Sequence, residues 1–353
     1  MGGKTCCTCA CERGQDQSWS CGFVDTVDSR VPRIKTRWSW RDSLGAWAVC
    51  WGIGRMRYTV PPGLYGVGDP TSDSPLLATA NYKLSFDHVR RALDGLDAWV
   101  LVLDTQGVNV WCAAGKGSFG TEELVGRMAR SEVAKTVGHR TLILPQLGAP
   151  GVAAHEVSRK TGFRVVYGPV RAQDIPAFLS AGMRATPEMR RVSFTLRERL
   201  ARTPIELVRL FIPAVFAALL FVALVGLGEL GYRFSSEQAL GVVAAVFCNY
   251  LAGIVLTPML LPWLPGRAFA CKGAVTGALV GALLGGLGPW GWVGGLSVLL
   301  LSVAACSLLG LMFTGSTHYT SASGVRSEMR WALPAQGLLA VAGLAGWVAS
   351  RFV

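Results

Sequence analysis

Beyond Arg209 the chain nearly runs out of charge. Of its 34 basic and 22 acidic residues only nine follow that point: Glu229, Arg233, Glu237, Arg267, Lys272, Arg326, Glu328, Arg330 and Arg351. Aspartate and glutamate are missing from the apolar runs between them, which argues against a proton- or ion-coupled transporter. An N-terminal apolar run of secretory length is also lacking, since the first thirty residues are polar. The ten cysteines therefore read as reduced thiols of a cytosolic compartment, not as a disulfide framework. A net charge of +12 invites a nucleic-acid reading. Seven arginines (Arg184, Arg190, Arg191, Arg197, Arg199, Arg202 and Arg209) instead crowd the approach to the first apolar run, where membrane topology places positive charge. No nucleic-acid partner is expected.

What is present is hydrophobic length. Five stretches, about Leu210–Gly228, Ala239–Leu261, Gly273–Trp290, Val293–Phe313 and Trp331–Val348, suffice for a hydrocarbon layer about 30 Å thick. Basic residues before the first span, Arg267 and Lys272 after the second, and Arg326 and Arg330 after the fourth orient the chain. The N-terminal half is expected in the cytosol, Val353 outside, and the protein multi-pass in the cytoplasmic (inner) membrane. Gly273, Gly277, Gly281 and Gly285 fall on one helix face, a pattern for close helix packing. Asn249 and Lys272 are the strong polar candidates within the spans, and Lys272 can snorkel to the interface. Met189, Val192, Leu196 and Leu200 recur at helical spacing, as in an amphipathic helix on the membrane surface or one packed on the soluble domain.

Four regions follow: a cysteine-rich disordered leader over 1–36, an α/β domain over 37–183, a basic linker over 184–209, and a five-helix membrane domain over 210–353. The leader's Cys6, Cys7, Cys9, Cys11 and Cys21 fit no defined metal-ligand spacing. In the α/β domain, apolar runs predict strands at Leu76–Ala80, Ala98–Asp104, Thr141–Leu144 and Arg164–Tyr167. Helices are predicted at Phe86–Leu93, Glu122–Val137 and Val152–Thr161. This alternation predicts a Rossmann-like, doubly wound sheet buried on both faces. Ligands of such sheets bind beyond the carboxyl ends of the strands, here Thr79 and Asn81, Gln106–Lys116, Gln146–Gly148 and Gly168.

One of those ends reads Asn109-Val110-Trp111-Cys112-Ala113-Ala114-Gly115-Lys116. Asn109 suits the N-cap of a short helix that Gly115 would end. Cys112 then lies in the first turn, where a helix favours thiolate, the form that binds metal. Small Ala113 and Ala114 would let a flat ligand approach. Three readings compete on the residues alone. A phosphate loop needs glycine at 110 and a hydroxyl at 117, where Val110 and Gly117 stand. A cysteine nucleophile needs a histidine base, and His88, His139 and His155 have no telling neighbours. The third reading is a buried structural cysteine.

The octapeptide resembles the signature of the mercury-methylating corrinoid proteins, the HgcA family. The resemblance continues through Trp51-Gly52-Ile53-Gly54-Arg55-Met56-Arg57-Tyr58, Pro62-Gly63-Leu64-Tyr65, Ala80-Asn81-Tyr82-Lys83-Leu84-Ser85-Phe86-Asp87, Gly168-Pro169-Val170-Arg171-Ala172 and Phe313-Thr314-Gly315-Ser316-Thr317. His318 and Tyr319 depart from the commoner pattern. That family is in turn similar to the corrinoid domain of the corrinoid iron–sulfur protein of the acetyl-CoA pathway.

The resemblance implies a corrinoid (cobalamin or a related cobamide) with Cys112 as lower axial ligand to cobalt and Asn109–Lys116 as the cap helix. It implies methyl transfer from the cysteine-ligated methylated corrinoid to Hg(II), forming methylmercury. An electron-rich thiolate favours departure of a carbanion-like methyl group. The methyl donor implied belongs to the methyltetrahydrofolate pathway. The reductant implied is a ferredoxin-like, HgcB-type partner with two four-iron–four-sulfur clusters, since this chain has no credible cluster ligand set. The competing function is a membrane corrinoid protein for transport or sensing. The loop Thr314–Ser323 would face the cytosol.

Overall fold

The computed structural model describes residues 18–26, 30–227, 231–315 and 322–352. The chain divides into two units, one comprising residues 1–49 and 53–192, the other 50–52 and 193–353.

In the first unit β1 (Ser20–Asp25) and β2 (Arg30–Ile34) precede α1 (Trp40–Cys50). β3 (Gly63–Val67) and β4 (Leu76–Ala80) lead to α2 (Lys83–Ala92), and β5 (Ala98–Leu103) to α3 (Val110–Lys116), α4 (Thr121–Arg130) and α5 (Val133–Thr136). β6 (Thr141–Leu144), α6 (Ala154–Thr161), β7 (Arg164–Tyr167) and α7 (Ile175–Ser180) complete it. The strands form one sheet in the order β1-β2-β3-β5-β4-β6-β7. β5, β4, β6 and β7 are mutually parallel, with Leu76 opposite Trp99 and Leu77 opposite Ile143. β3 runs antiparallel to β5, and β1 antiparallel to β2.

Two corrections to the sequence reading follow. Residues 20–25 and 30–34 do not belong to a disordered leader: they pair as antiparallel strands, and β2 joins them to β3. The leader's Cys6, Cys7, Cys9 and Cys11 lie outside the described residues. The sheet is also mixed: β2 pairs with β3 in parallel, β1–β2 and β3–β5 are antiparallel, and only β5, β4, β6 and β7 form a continuous parallel part.

Alternate strand residues bury opposite faces, as the period of two requires. Leu76, Ala78, Leu101, Leu103, Leu142 and Leu144 cluster with Ala113, Leu124, Met128 and Val157 from α3, α4 and α6. Leu77, Val100, Val102 and Ile143 cluster with Phe86 of α2 and Phe178 of α7. Helices thus cover both faces, and the chain leaves β4 toward one face and β6 toward the other.

The second face also holds a buried ionic network. Asp42 of α1 and Lys83, Asp87 and Arg90 of α2 are at most 8 % exposed. Lys83 Nζ lies 3.0 Å from Asp42 Oδ1 and 2.6 Å from Asp87 Oδ2. Arg90 Nε lies 2.7 Å from Asp87 Oδ1, and its Nη2 is 2.9 Å from Asp42 Oδ2 as an ion pair. Arg90 Nη1 donates to the carbonyl of Lys35 at 2.7 Å, tying the segment before α1 to α2. Burial alone would raise the Asp42 pKa. The Ser39 hydroxyl and amide, then Arg90 and Lys83, outweigh it and hold the carboxyl well below its usual range. Burial works against the Lys83 charge too, but Asp87 and Asp42 prevail and raise its pKa.

In the second unit a short helix, α8 (Leu196–Leu200), precedes α9 (Thr203–Val225), α10 (Ser236–Leu251), α11 (Thr257–Leu260), α12 (Phe269–Leu287), α13 (Gly291–Gly315) and α14 (Ala322–Ala349). A π-helical stretch, Ala252–Leu256, joins α10 to α11. Among the described residues five helices are long and apolar enough to cross a membrane: Leu196–Val225, Ser236–Leu260, Phe269–Leu287, Gly291–Phe313 and Gly324–Ala349. The loop residues His318 and Tyr319 lie outside the described residues.

Cβ atoms placed on the glycine stripe of α12 would strike the backbone of α13. At Gly273 the neighbour is the Cys306 carbonyl, at Gly277 the Ser302 carbonyl and Val303 Cα (2.8 Å), and at Gly281 Leu299 Cα (2.9 Å). Only a hydrogen fits at these positions, and any side chain would hold the helices apart.

The expected amphipathic helix is split. Only Leu196–Leu200 is helical, started by a Thr195–Glu198 capping box. Met189 belongs to the first unit, where it packs on the second-face core and its carbonyl accepts from Val170 N at 2.8 Å. Arg199 is 4 % exposed and donates to the carbonyls of Pro258 (2.9 Å) and Met259 (2.6 Å). Lys272 Nζ donates to Leu261 O at 2.5 Å. Two cations therefore meet carbonyls at the carboxyl end of α11, where a helix end is negative.

Gly277→Val should cost about 1–3 kcal/mol by overpacking, read as a lower thermal midpoint of the detergent-solubilised chain. Gly286→Ala should be neutral or stabilising, because nothing lies within 4 Å of its Cβ position. Asp42 gives a pH prediction. Its folded pKa is depressed below the ordinary 3.8, so its contribution is complete above about pH 4 and fades as the pH falls, when the unfolded chain takes up the proton first. Asp42→Asn should cost about 3–5 kcal/mol at neutral pH and flatten that acid loss, measured by circular dichroism melts.

Candidate functional site at the carboxyl edge of the sheet

The site begins with the turn after β5. Its residues Gln106 and Gly107 have φ of +56° and +72°, a conformation that only glycine adopts freely. Asn81, at the end of the neighbouring β4, holds this turn. Its Oδ1 accepts from Thr105 N (3.1 Å) and Gly107 N (3.0 Å), and its Nδ2 donates to Asp104 Oδ1 at 3.1 Å. The Thr105 hydroxyl lies between Asn81 Oδ1 (2.8 Å) and Val108 O (2.7 Å). Asn81 is 6 % exposed, and both ends of its carboxamide serve the loop.

From that loop the chain enters α3. Asn109 is its N-cap, and the side chain accepts from Cys112 N at 2.9 Å. The helix runs one residue beyond the expected stop at Gly115. It ends at Gly117, whose φ of +84° forms the left-handed cap. Gly115 is exposed helix interior, with nothing within 4 Å of a Cβ placed on it.

The two faces of α3 differ. Val110, Ala113 and Ala114 are buried in the first-face core. Trp111 and Cys112 are half-buried, and Gly115 and Lys116 are exposed. Ala113 and Ala114 are therefore small for the core's sake and do not offer a ligand its approach. A Cβ on Gly151 would lie 3.0 Å from Ala114 Cα, so the 3₁₀ segment Gln146–Gly151 after β6 rests directly on α3. Gly148 makes room for Phe119, whose Cε1 would be 2.6 Å from an added Cβ. Gly115 follows Cys112 by three residues and Lys116 by four, placing all three on one helix face. A free thiol thus stands beside a strip of bare backbone.

The remaining expected site residues have other neighbours. Thr79 is 1 % exposed within β4. Gly168 is buried, with a Cβ position 3.1 Å from Ile143 Cγ2. Gln146 is half-buried and its Oε1 accepts from Arg190 Nη1 at 3.3 Å. The structure thus unites Asn81, Gln106–Lys116 and Gln146–Gly151 and keeps Thr79 and Gly168 in the interior. His139 Nε2 lies 2.9 Å from Ser74 O and Thr141 N donates to its Nδ1 at 3.2 Å, so that ring joins backbone segments. Burial lowers the His88 pKa, against the pull of Asp87. His155 is exposed on α6. Among the described residues no three His, Cys, Asp or Glu side chains gather as a metal cage.

Residues 54–179 match the family described as CO dehydrogenase/acetyl-CoA synthase delta subunit, CdhD. Similar curated proteins include the acetyl-CoA decarbonylase/synthase complex subunit gamma of Methanopyrus kandleri, 34 % identical over 122 residues, which are 34 % of this chain and 26 % of that protein. The subunit gamma of Archaeoglobus fulgidus is 31 % identical over 127 residues, 35 % of this chain and 27 % of the relative. That of Methanocaldococcus jannaschii is 32 % identical over 127 residues, 35 % and 26 %. The chain spans about a quarter of the length of the curated relatives it matches. The matched region runs from before β3 to α7, holding the parallel strands and Cys112, and leaves the membrane-spanning helices outside.

Proposed function

We propose that the first unit is a Rossmann-like corrinoid-binding domain and that the chain is a corrinoid-dependent methyltransferase delivering a methyl group to Hg(II). The observation that carries this reading is the outward face of α3: a free Cys112 thiol flanked by Gly115, at the carboxyl edge of the parallel part of a mixed sheet. The similarity to acetyl-CoA decarbonylase/synthase subunits over that region and the octapeptide's resemblance to the HgcA signature support it. The residues suit a flat macrocycle bound through its metal. One soft sulfur faces out, and Gly115 leaves the surface beside it without side-chain bulk. When bound, the corrinoid supplies the cobalt centre on which the methyl group is carried.

The chain's own contribution is positional. Cys112 would offer its sulfur to the metal of a bound corrinoid from a helix whose first turn Asn109 fixes. Ala113 and Ala114 clamp the opposite face into the core, so the thiol cannot turn inward. Asn81 fixes the turn that delivers the helix. Mercury is substrate, and the thiolate's electron donation is the property that distinguishes this site from a histidine-ligated one. Electrons come from an HgcB-type ferredoxin, and the five helices hold the domain at the cytosolic face of the inner membrane.

Cys112→Ala in the full chain should abolish methylmercury formation and the visible spectrum of a thiolate-ligated cobamide, while thermal stability is retained. Undiminished methylation would refute the assignment. Cys112→His should keep the corrinoid but transfer methyl to mercury more slowly. Gly115→Ala separates stability from binding. Alanine favours the helix by roughly 0.5–1 kcal/mol, whereas its methyl group intrudes on the face beside Cys112 at about 1–3 kcal/mol. The melting temperature should hold or rise while cobamide retention falls roughly tenfold.

A further inference from the structure

A long slot lies within the second unit among α9, α10, α13 and α14. Its volume is about 630 Å³, within the range of ligand sites. Its lining extends along α13 from Val298 to Met312 and along α14 from Leu333 to Trp347. At 1.5 Å per residue each reach is about 21 Å, more than one leaflet of a hydrocarbon layer about 30 Å thick. The walls are overwhelmingly apolar, with Ala217, Val246, Leu301 and Leu308 among them. α9 reaches α14 at Phe221, whose ring stands edge-on to Trp347 with centroids 6.1 Å apart.

That end of the slot is chemically distinct. Trp347 is 1 % exposed and its Nε1 has no hydrogen-bond partner among the described residues. The Arg351 guanidinium lies 4.3 Å from the centroid of the same ring. Its Nη1 donates to Gln238 Oε1 at 2.7 Å, but its Nε is buried without a partner among the described residues. Gln238 is neutral, so it does not match the charge. An N–H sealed from water with no acceptor is costly to leave unpaired. Here two such donors, one of them cationic, share the end of a hydrocarbon-lined slot, and arginine and tryptophan are both residues of the membrane interface. Among the described residues Ser302 Oγ and Gln336 Oε1 also lack partners further along. A hydrocarbon chain leaves them as they are, so selectivity lies at the Arg351 end.

We propose that the slot holds one acyl chain of an anionic phospholipid, whose phosphate is drawn to Arg351 Nε and Trp347 Nε1 by a small swing of the half-buried Arg351 side chain. The chain length, the apolar walls and a positive charge that pairs with no acidic side chain among the described residues each ask for a different part of that molecule.

The test is native mass spectrometry of the full chain released from nanodiscs of equimolar phosphatidylglycerol and phosphatidylcholine. Wild type should retain one phosphatidylglycerol per chain. Arg351→Gln should lose the preference by about tenfold, the worth of one charge-assisted hydrogen bond, and still retain one lipid of either kind. Ala340→Phe, which fills the slot, should retain neither, with Ala217→Phe on the opposite wall as a second filling variant and melting temperatures confirming that both are folded. Equal retention of the two lipids by wild type, a phosphatidylglycerol preference that survives Arg351→Gln, or a folded filled-slot variant that keeps its lipid would each overturn the proposal.

Discussion

The carboxamide of Asn81 is the joint on which the candidate site turns. A loop with two consecutive residues in the left-handed region does not hold itself together, and one of the two, Gln106, carries a side chain that disfavours it. Asn81 compensates by accepting from two backbone N–H groups of the loop and donating to Asp104. Because Asn81 ends β4 while the loop follows β5, the bond pattern ties adjacent parallel strands at their carboxyl ends. Everything downstream inherits that placement: the N-cap at Asn109, the first turn of α3, and the direction in which Cys112 faces. The side chain looks like a ligand donor in the sequence, yet its effect on a ligand is exerted through the backbone it fixes.

A second constraint acts on α3 from below. Val110, Ala113 and Ala114 belong to the core and Gly151 rests on Ala114, so the helix is held between the sheet and the segment after β6. A larger residue at 113 or 114 would lift it and rotate Cys112. The octapeptide thus divides into two functions by helical periodicity: one face anchors, the other presents sulfur and bare backbone. Reading Ala113 and Ala114 as a landing surface confused small residues that admit a ligand with small residues that admit a neighbouring element. The two are indistinguishable until the neighbour is known, and here it arrives from thirty-five residues or more along the chain.

The legible parts of the fold were those governed by local pattern. β4, β6 and β7 fall on their apolar runs, and the glycine stripe of α12 meets the backbone of α13, because strand period and close helix approach are written in nearest-neighbour spacing. The strand pair of β1 and β2 was not legible: Cys21, Gly22, Pro32 and Arg33 break the usual strand composition, and its stability comes from pairing with β3. The ionic network was missed for a related reason. Lys83, Asp87 and Arg90 recur at the spacing of one helix face, which ordinarily marks a solvated side. Their burial depends on Asp42, forty-one residues upstream of Lys83, bringing the compensating charge. Gly117 displaced Gly115 as the helix stop because both are glycines two residues apart, and only the backbone dihedral decides between them.

The same logic of paired ends orders the membrane unit. Where charge is scarce, each charged side chain carries more of the specification, because a misplaced one has no water to retreat to. Arg199 and Lys272 both meet carbonyls around the carboxyl end of α11, and Glu328 accepts from Ala270 N at 2.6 Å, at the start of α12. Cations stand at a negative helix end and an acid at a positive one. The basic residues near the spans therefore do more than set orientation by their number. Arg199, counted with its neighbours as topological charge, is removed from any lipid headgroup by its burial and acts as a C-cap. Arg351 differs in kind: among the described residues its guanidinium reaches only a neutral amide while Nε stays unpaired, which is why it, and not Arg199, points to a ligand from the bilayer.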